Sequence, residues 1–213
     1  MSPSFSKIIH TKSFNSSKVL KDNMNLQSLL EKPRDKSLLI SFFLTFIMTF
    51  VFLLFIFAPL LAQFPPGAGL MEMKAAWNKK NMDRIIDKWN KKNLSYYVEL
   101  MTIVNLIDFL FMAVYGMALF TGLLLVARKL EDSKNLQNFY FKLSLISWFS
   151  VIFDIIEGIF IAIILLDPMN ITDFVAFGTS LSATLCIIVL YSCVFLWIIG
   201  LIIVLFQRIR SKI

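Results

Sequence analysis

The run from Phe139 to Leu166, FYFKLSLISWFSVIFDIIEGIFIAIILL, decides the fold class. It exceeds the about 20 apolar residues that carry a helix across a hydrocarbon core, yet it holds two carboxylates, Asp154 and Glu157, well inside. Three further runs of the same kind, 38–63, 97–127 and 173–206, flank it. They predict an all-α integral membrane bundle of four transmembrane helices. The domain plan that follows is a basic tail over 1–37, a membrane domain over 38–206 and a short basic tail over 207–213.

Composition agrees. Of 213 residues, 58% are hydrophobic, 15% aromatic and 16% charged, against about 45–50% apolar and about 25% charged in a soluble domain. The net charge of +7 sits in tails and connections, not on one folded basic face, so disordered, collagen-like and nucleic-acid-binding classes are excluded together. The lipid bilayer is the expected partner, with further copies of the chain or other membrane subunits as additional candidates. Cys186 and Cys193 lie on one helix face about 10 Å apart and cannot bridge each other. The single histidine, His10, stands in the N-terminal tail, which leaves no cluster for zinc, haem or a Cys-His pair. No cofactor is expected.

The first run is too long and begins too late for the apolar region of a cleaved signal peptide. Short loops set orientation through their Lys/Arg content. Arg128, Lys129, Lys134 and Lys142 flank the second loop, Arg208, Arg210 and Lys212 end the chain, and the 167–173 loop has no base and two acids. Both termini are therefore expected in the cytoplasm; the seven bases of the 64–96 connection dissent. A plasma membrane is expected, with an organellar one as the alternative. The 1–37 tail is Ser- and Lys-rich with no acid before Asp22, which suits a mitochondrial presequence as well as a plain tail, but it has no arginine before Arg34. Asn-x-Ser/Thr triplets at Asn15, Asn93 and Asn170 are too short a pattern to assign glycosylation.

Within the 64–96 connection, after Pro65-Pro66-Gly67, the residues Met82, Ile85, Ile86 and Trp89 recur at i, i+3, i+4 and i+7. This spacing predicts an amphipathic helix in the first extra-membrane loop. Two uses are open. Trp89, Ile85, Arg84 and Lys88 either meet the lipid headgroups, or Trp89 and Ile85 pack a lid onto the end of the bundle, as long connections that fold commonly do.

Three carboxylates lie in span interiors, Asp108, Asp154 and Glu157. An ionised group there costs at least about 2.5–3.5 kcal/mol, so each should face inward and have a partner. At 1.5 Å per residue they fall about 16, 18 and 14 Å from the same surface, which places them at one level. Ser144, Ser147, Ser150, Asp154 and Glu157 draw a stripe on the third span; Thr102, Asn105, Asp108, Tyr115 and Gly122 draw one on the second; Thr179, Ser182, Cys186, Cys193 and Gly200 form a small-residue seam on the fourth. The candidate ligands are thus Asp108, Asp154, Glu157, Asn105, Thr179 and Ser182, supported by Tyr115 and Ser150. No Lys, Arg or His accompanies the acids in mid-span. They are expected either to be protonated and hydrogen-bonded or to hold a cation supplied by solvent, the oxygen-only shell suiting a hard cation or a proton. The alternative is a polar network that registers the helices.

The strings Asp108-Phe109-Leu110-Phe111 with Tyr115-Gly116, and Asp154-x-x-Glu157-Gly158, resemble a family of small four-helix membrane proteins that also carry a loop helix ending in tryptophan before the second span. The likeness covers roughly residues 80–165. It implies that the carboxylates act as a set and brings no activity. The family pattern has asparagine after the glutamate where this chain has Gly158, which puts an amide ligand there in doubt.

Three functions compete. The first is a protein binding a cation, proton or small cationic ligand through these acids, as a transporter or channel subunit; four helices leave room for a pore only in oligomers, and mid-membrane breaks or inverted repeats are absent from the sequence. The second is an enzyme on a lipid-soluble substrate, which no nucleophile or metal motif supports; no catalytic residue is assigned. The third is an accessory or assembly subunit that presents the phenylalanine-rich first span, Phe42 to Phe57.

Overall fold

A computed structural model describes residues 34–130 and 133–210; His10, Asn15 and nearly all of the 1–37 tail lie outside the described residues, as do 211–213. Every regular element among the described residues is helical. In chain order these are α1 (Asp35–Leu61), α2 (Leu70–Lys74), α3 (Lys79–Asn90), α4 (Leu94–Lys129), α5 (Lys134–Leu166) and α6 (Asp173–Arg210). Four of them, α1, α4, α5 and α6, are long and apolar enough to cross a membrane. They outrun the apolar runs because the polar flanks continue the helix. Asn93 caps α4 by accepting the Tyr96 N–H at 3.2 Å, and Arg128 and Lys129 occupy its last turn, where cations meet the negative end of the helix dipole.

Ion pairs fix which ends lie together. Asp35 at the start of α1 pairs with Arg128 at 2.9 Å and Lys129 at 3.0 Å at the end of α4. At the opposite end Lys79 donates its backbone N–H to Asp173 at 2.8 Å and its ammonium to the Ile171 carbonyl at 2.9 Å. The 62–93 and 167–172 connections therefore share one end, and the start of α1 and the end of α4 lie together at the other.

The α6 seam faces inward, with Thr179, Ser182, Cys186, Cys193 and Gly200 all buried. Small residues set close approaches throughout. A methyl group on Gly116 of α4 would come within 2.5 Å of Val151 Cγ2 on α5. Gly116→Ala should therefore lose about 1–3 kcal/mol through overpacking, and Val151→Ala should recover part of it; additive losses in a denaturant titration would show that the two residues do not share this contact.

Helix α1 packs on the bundle along one side and is exposed along another. Phe42 packs on Trp197 at 5.5 Å, and Phe57 meets Phe111 edge-on at 5.2 Å, while Ile40, Leu44, Leu54 and Phe55 are exposed. Its segment Phe52–Phe57 is π-helical, the Ala58 N–H reaching back to Leu53. Pro59, which offers no N–H and crowds the carbonyl four residues before it, follows directly.

The 62–93 connection closes one end of the bundle. Its helix α3 turns Met82, Ile85, Ile86 and Trp89 inward, where they join Phe64, Leu70 and Met73 against Tyr97, Leu100, Met101 and Val104 of α4 and Ile161 and Ile164 of α5. Trp89 is fully buried, its indole N–H donating to the Ala68 carbonyl at 2.7 Å. Of the four residues offered to the headgroups, Ile85 and Trp89 are thus spent on the protein's own interior. Lys88 donates to the Pro66 and Gly67 carbonyls at 3.1 and 2.9 Å, and Arg84 is exposed, reaching Asn81 at 3.3 Å.

A three-carboxylate site closed by a lysine

The chain turns at Gly67, whose φ of +68° lies where glycine is free to go, and enters α2 with the Gly69 N–H held by Glu72 at 2.9 Å. Five residues later α2 ends on Lys74. Past Ala75 and Ala76 the backbone is forced to φ +58° at Trp77, a conformation costly for so bulky a residue. The Trp77 N–H donates to Ser180 of α6 at 2.8 Å, and its ring lies 6.0 Å from Phe177, so the turn is pinned to the bundle on the residue that follows the lysine by three.

Lys74 thereby points its ammonium into the bundle. Its Nζ lies 2.8 Å from Glu157 Oε1, 3.7 Å from Asp108 Oδ2 and 3.8 Å from Asp154 Oδ1. The first is a close ion pair and the other two are longer charge contacts. Burial by itself would push the ammonium down, but the charges of Glu157, Asp108 and Asp154 outweigh it and hold Lys74 above the usual lysine range. The three acids are brought together at one level, as the helical arithmetic required. One counter-ion comes from the chain itself, from outside the spans, a source not among those expected from the sequence.

The other candidates divide. Tyr115 donates its hydroxyl to Asp154 Oδ2 at 2.8 Å and lies 3.8 Å from Cys186 Sγ, joining α4, α5 and α6 at the site. Asn105 donates to the Gly158 carbonyl at 3.1 Å, and its Oδ1 is buried with no hydrogen-bond partner. Gly158 permits this, since a Cβ there would stand 2.9 Å from Phe109 and 3.3 Å from Asn105 Oδ1; the amide beside the glutamate is supplied by the facing helix. The hydroxyls of Thr179, Ser182 and Ser150 are buried but spend their protons on their own helices, on Val175, Gly178 and Ser147 at 2.9, 2.6 and 2.7 Å. Ser144 and Ser147 do the same at 2.7 and 2.6 Å, and α5 is interrupted at Ser147, as such back-bonding tends to bend helices. Thr102 is exposed.

Sequence reasoning missed Lys74, and with it the Trp77 contact to Ser180. A signal for the first was present: Lys74 is the one base among residues 64–78, set between Met73 and Ala75-Ala76-Trp77, unlike the solvated bases of 79–92. Among the described residues no group of three or more His, Cys, Asp or Glu is disposed to hold a metal ion. Comparison with protein-family models, curated proteins and solved structures finds no match to this chain.

Proposed function

We propose that the chain is a multi-pass membrane protein whose interior carboxylate cluster binds a proton or small cation, with Lys74 as its resident counter-ion. The observation that carries this reading is the charge balance: three carboxylates face one ammonium. Fully ionised, the group would hold two uncompensated negative charges away from bulk water, which is costly, so it takes up protons or a further cation. The orphaned Asn105 Oδ1 is an acceptor in want of a donor or cation beside the same cluster. Participation in transport follows as a use of such a site, in oligomers if a pore is needed. Infrared difference spectroscopy of the protein in lipid, between acid and alkaline pH, should show a protonated-carboxyl band that shrinks in Glu157→Gln and in Asp154→Asn with the bundle still folded. A band unchanged in both variants would mean that these carboxyls take no proton.

The short 167–173 loop has two acids and no base, whereas Arg128, Lys129, Lys134, Arg208 and Arg210 lie toward the other end, and with basic short segments inside the termini are proposed to be cytoplasmic. A cysteine placed at Asn170, in a protein lacking Cys186 and Cys193, should react with an impermeant thiol reagent from outside. One at Lys134 should react only after permeabilisation, and the reverse pattern would invert the topology.

A further inference from the structure

We infer that the cation this site accepts in trans is a primary alkylammonium ion, seated where the Lys74 side chain now lies; the inference rests on the cation-site reading and narrows it to one ligand class. The first ground is the occupant. What fills the cluster is an unbranched alkyl stem ending in an ammonium, delivered by a five-residue helix that belongs to the connection and not to the four long helices. A tethered group of that kind is a built-in stand-in for a free amine.

Geometry excludes the neighbouring classes. The acid oxygens stand 2.8, 3.7 and 3.8 Å from the nitrogen, whereas Ca²⁺ takes oxygen at about 2.3–2.6 Å and Mg²⁺ at about 2.0–2.1 Å, and no described acid group is arranged for a metal. A quaternary ammonium has no N–H for the 2.8 Å contact with Glu157 and is recognised by aromatic cages; here the aromatic residue in contact with the acids, Tyr115, turns its hydroxyl to Asp154. A primary ammonium has three donors, and around it are Glu157 and two further carboxylates.

The consequence is competition: a free amine and the Lys74 side chain exclude each other. Lys74→Ala removes the three carbons and nitrogen beyond Cβ, a space matched by n-propylammonium. In the full chain in lipid nanodiscs, saturating n-propylammonium chloride should raise the thermal midpoint of Lys74→Ala by about 5–10 °C. It should move wild type less, since there it must first displace Lys74, leave Lys74→Ala/Glu157→Gln unmoved, and bind at least tenfold more tightly than tetramethylammonium. Equal, Glu157-dependent shifts with sodium or tetramethylammonium would keep the cation site and overturn the alkylammonium class. No shift with any of the three would overturn the class, while the infrared band decides separately whether the carboxyls take protons. If Lys74→Ala does not fold, wild type decides: n-propylammonium should speed proteolysis within residues 62–93 several-fold by displacing Lys74, tetramethylammonium should not, and equal rates would overturn the inference.

Discussion

Lys74→Met is expected to lose about 3–5 kcal/mol of stability, the usual cost of removing one partner from a buried ion pair. Methionine keeps most of the stem and its packing, so the loss is that of the charge. The damage falls on the carboxylates left behind: Glu157, with 2% of its side chain exposed, loses its 2.8 Å partner, and Asp108 and Asp154 lose theirs at 3.7 and 3.8 Å. Glu157→Gln in the same chain should therefore cost much less than it does alone, with a coupling of about 0.5–3 kcal/mol. Unfolding of the four variants in a denaturant titration measures it, and a Lys74→Met loss below about 0.5 kcal/mol would mean that the ammonium is not a structural charge. The titration of Lys74 itself should add no pH dependence across the neutral range. A lysine held above its ordinary value contributes fully below the unfolded-state pKa and loses that contribution only as pH rises through the higher folded one, so the fall lies in the alkaline range above about 10.

Trp89→Ala should loosen the whole connection. The indole is fully buried, gives its N–H to Ala68 at 2.7 Å and packs on Phe64 and Tyr97 with centroids at 5.9 and 6.3 Å. Truncating so large a buried aromatic costs about 3–5 kcal/mol, and the Ala68 carbonyl is left without its donor. The cost is expected to be local: amide exchange and protease cleavage should rise over 62–93, while the four long helices keep their protection. The exposed Lys80→Ala should stay within about 0.5 kcal/mol. Faster exchange throughout α4 and α5 would instead show that the connection and the bundle unfold as one.

The four long helices were legible because a hydrocarbon-length apolar run has few alternatives, and the convergence of Asp108, Asp154 and Glu157 was legible because 3.6-residue periodicity and chain reversal fix both face and depth. The Met82 to Trp89 periodicity gave the helix and its apolar face, though not whether that face would meet lipid headgroups or the bundle. Lys74 was not legible from periodicity, since α2 is a single turn and a half and has no face to count. Finding it meant asking which base outside the spans lacks solvated neighbours. The hydroxyls of Ser150, Thr179 and Ser182 were legible as buried, but where their protons go was not. Spacing locates a hydroxyl on the interior face, but a serine or threonine in a helix can give its proton to the preceding turn, and three of three did so. A hydroxyl on an aromatic ring has no such local option, and Tyr115 is the one that reached an acid.

The π-helical Phe52–Phe57 segment also bears on how this chain tolerates changes of length. A π turn holds one residue more than the α turn it replaces, so α1 behaves as two α-helical rods joined by a single inserted residue, the lower rod set by Phe42 on Trp197 and the upper by Phe57 on Phe111. Deleting the exposed Leu54 should let the segment relax to an α-helix with both rods still in phase. Deleting one residue elsewhere in α1 would turn one rod against the other by about 100°. The first span thus carries its own spare residue, and shortening is absorbed at that one place.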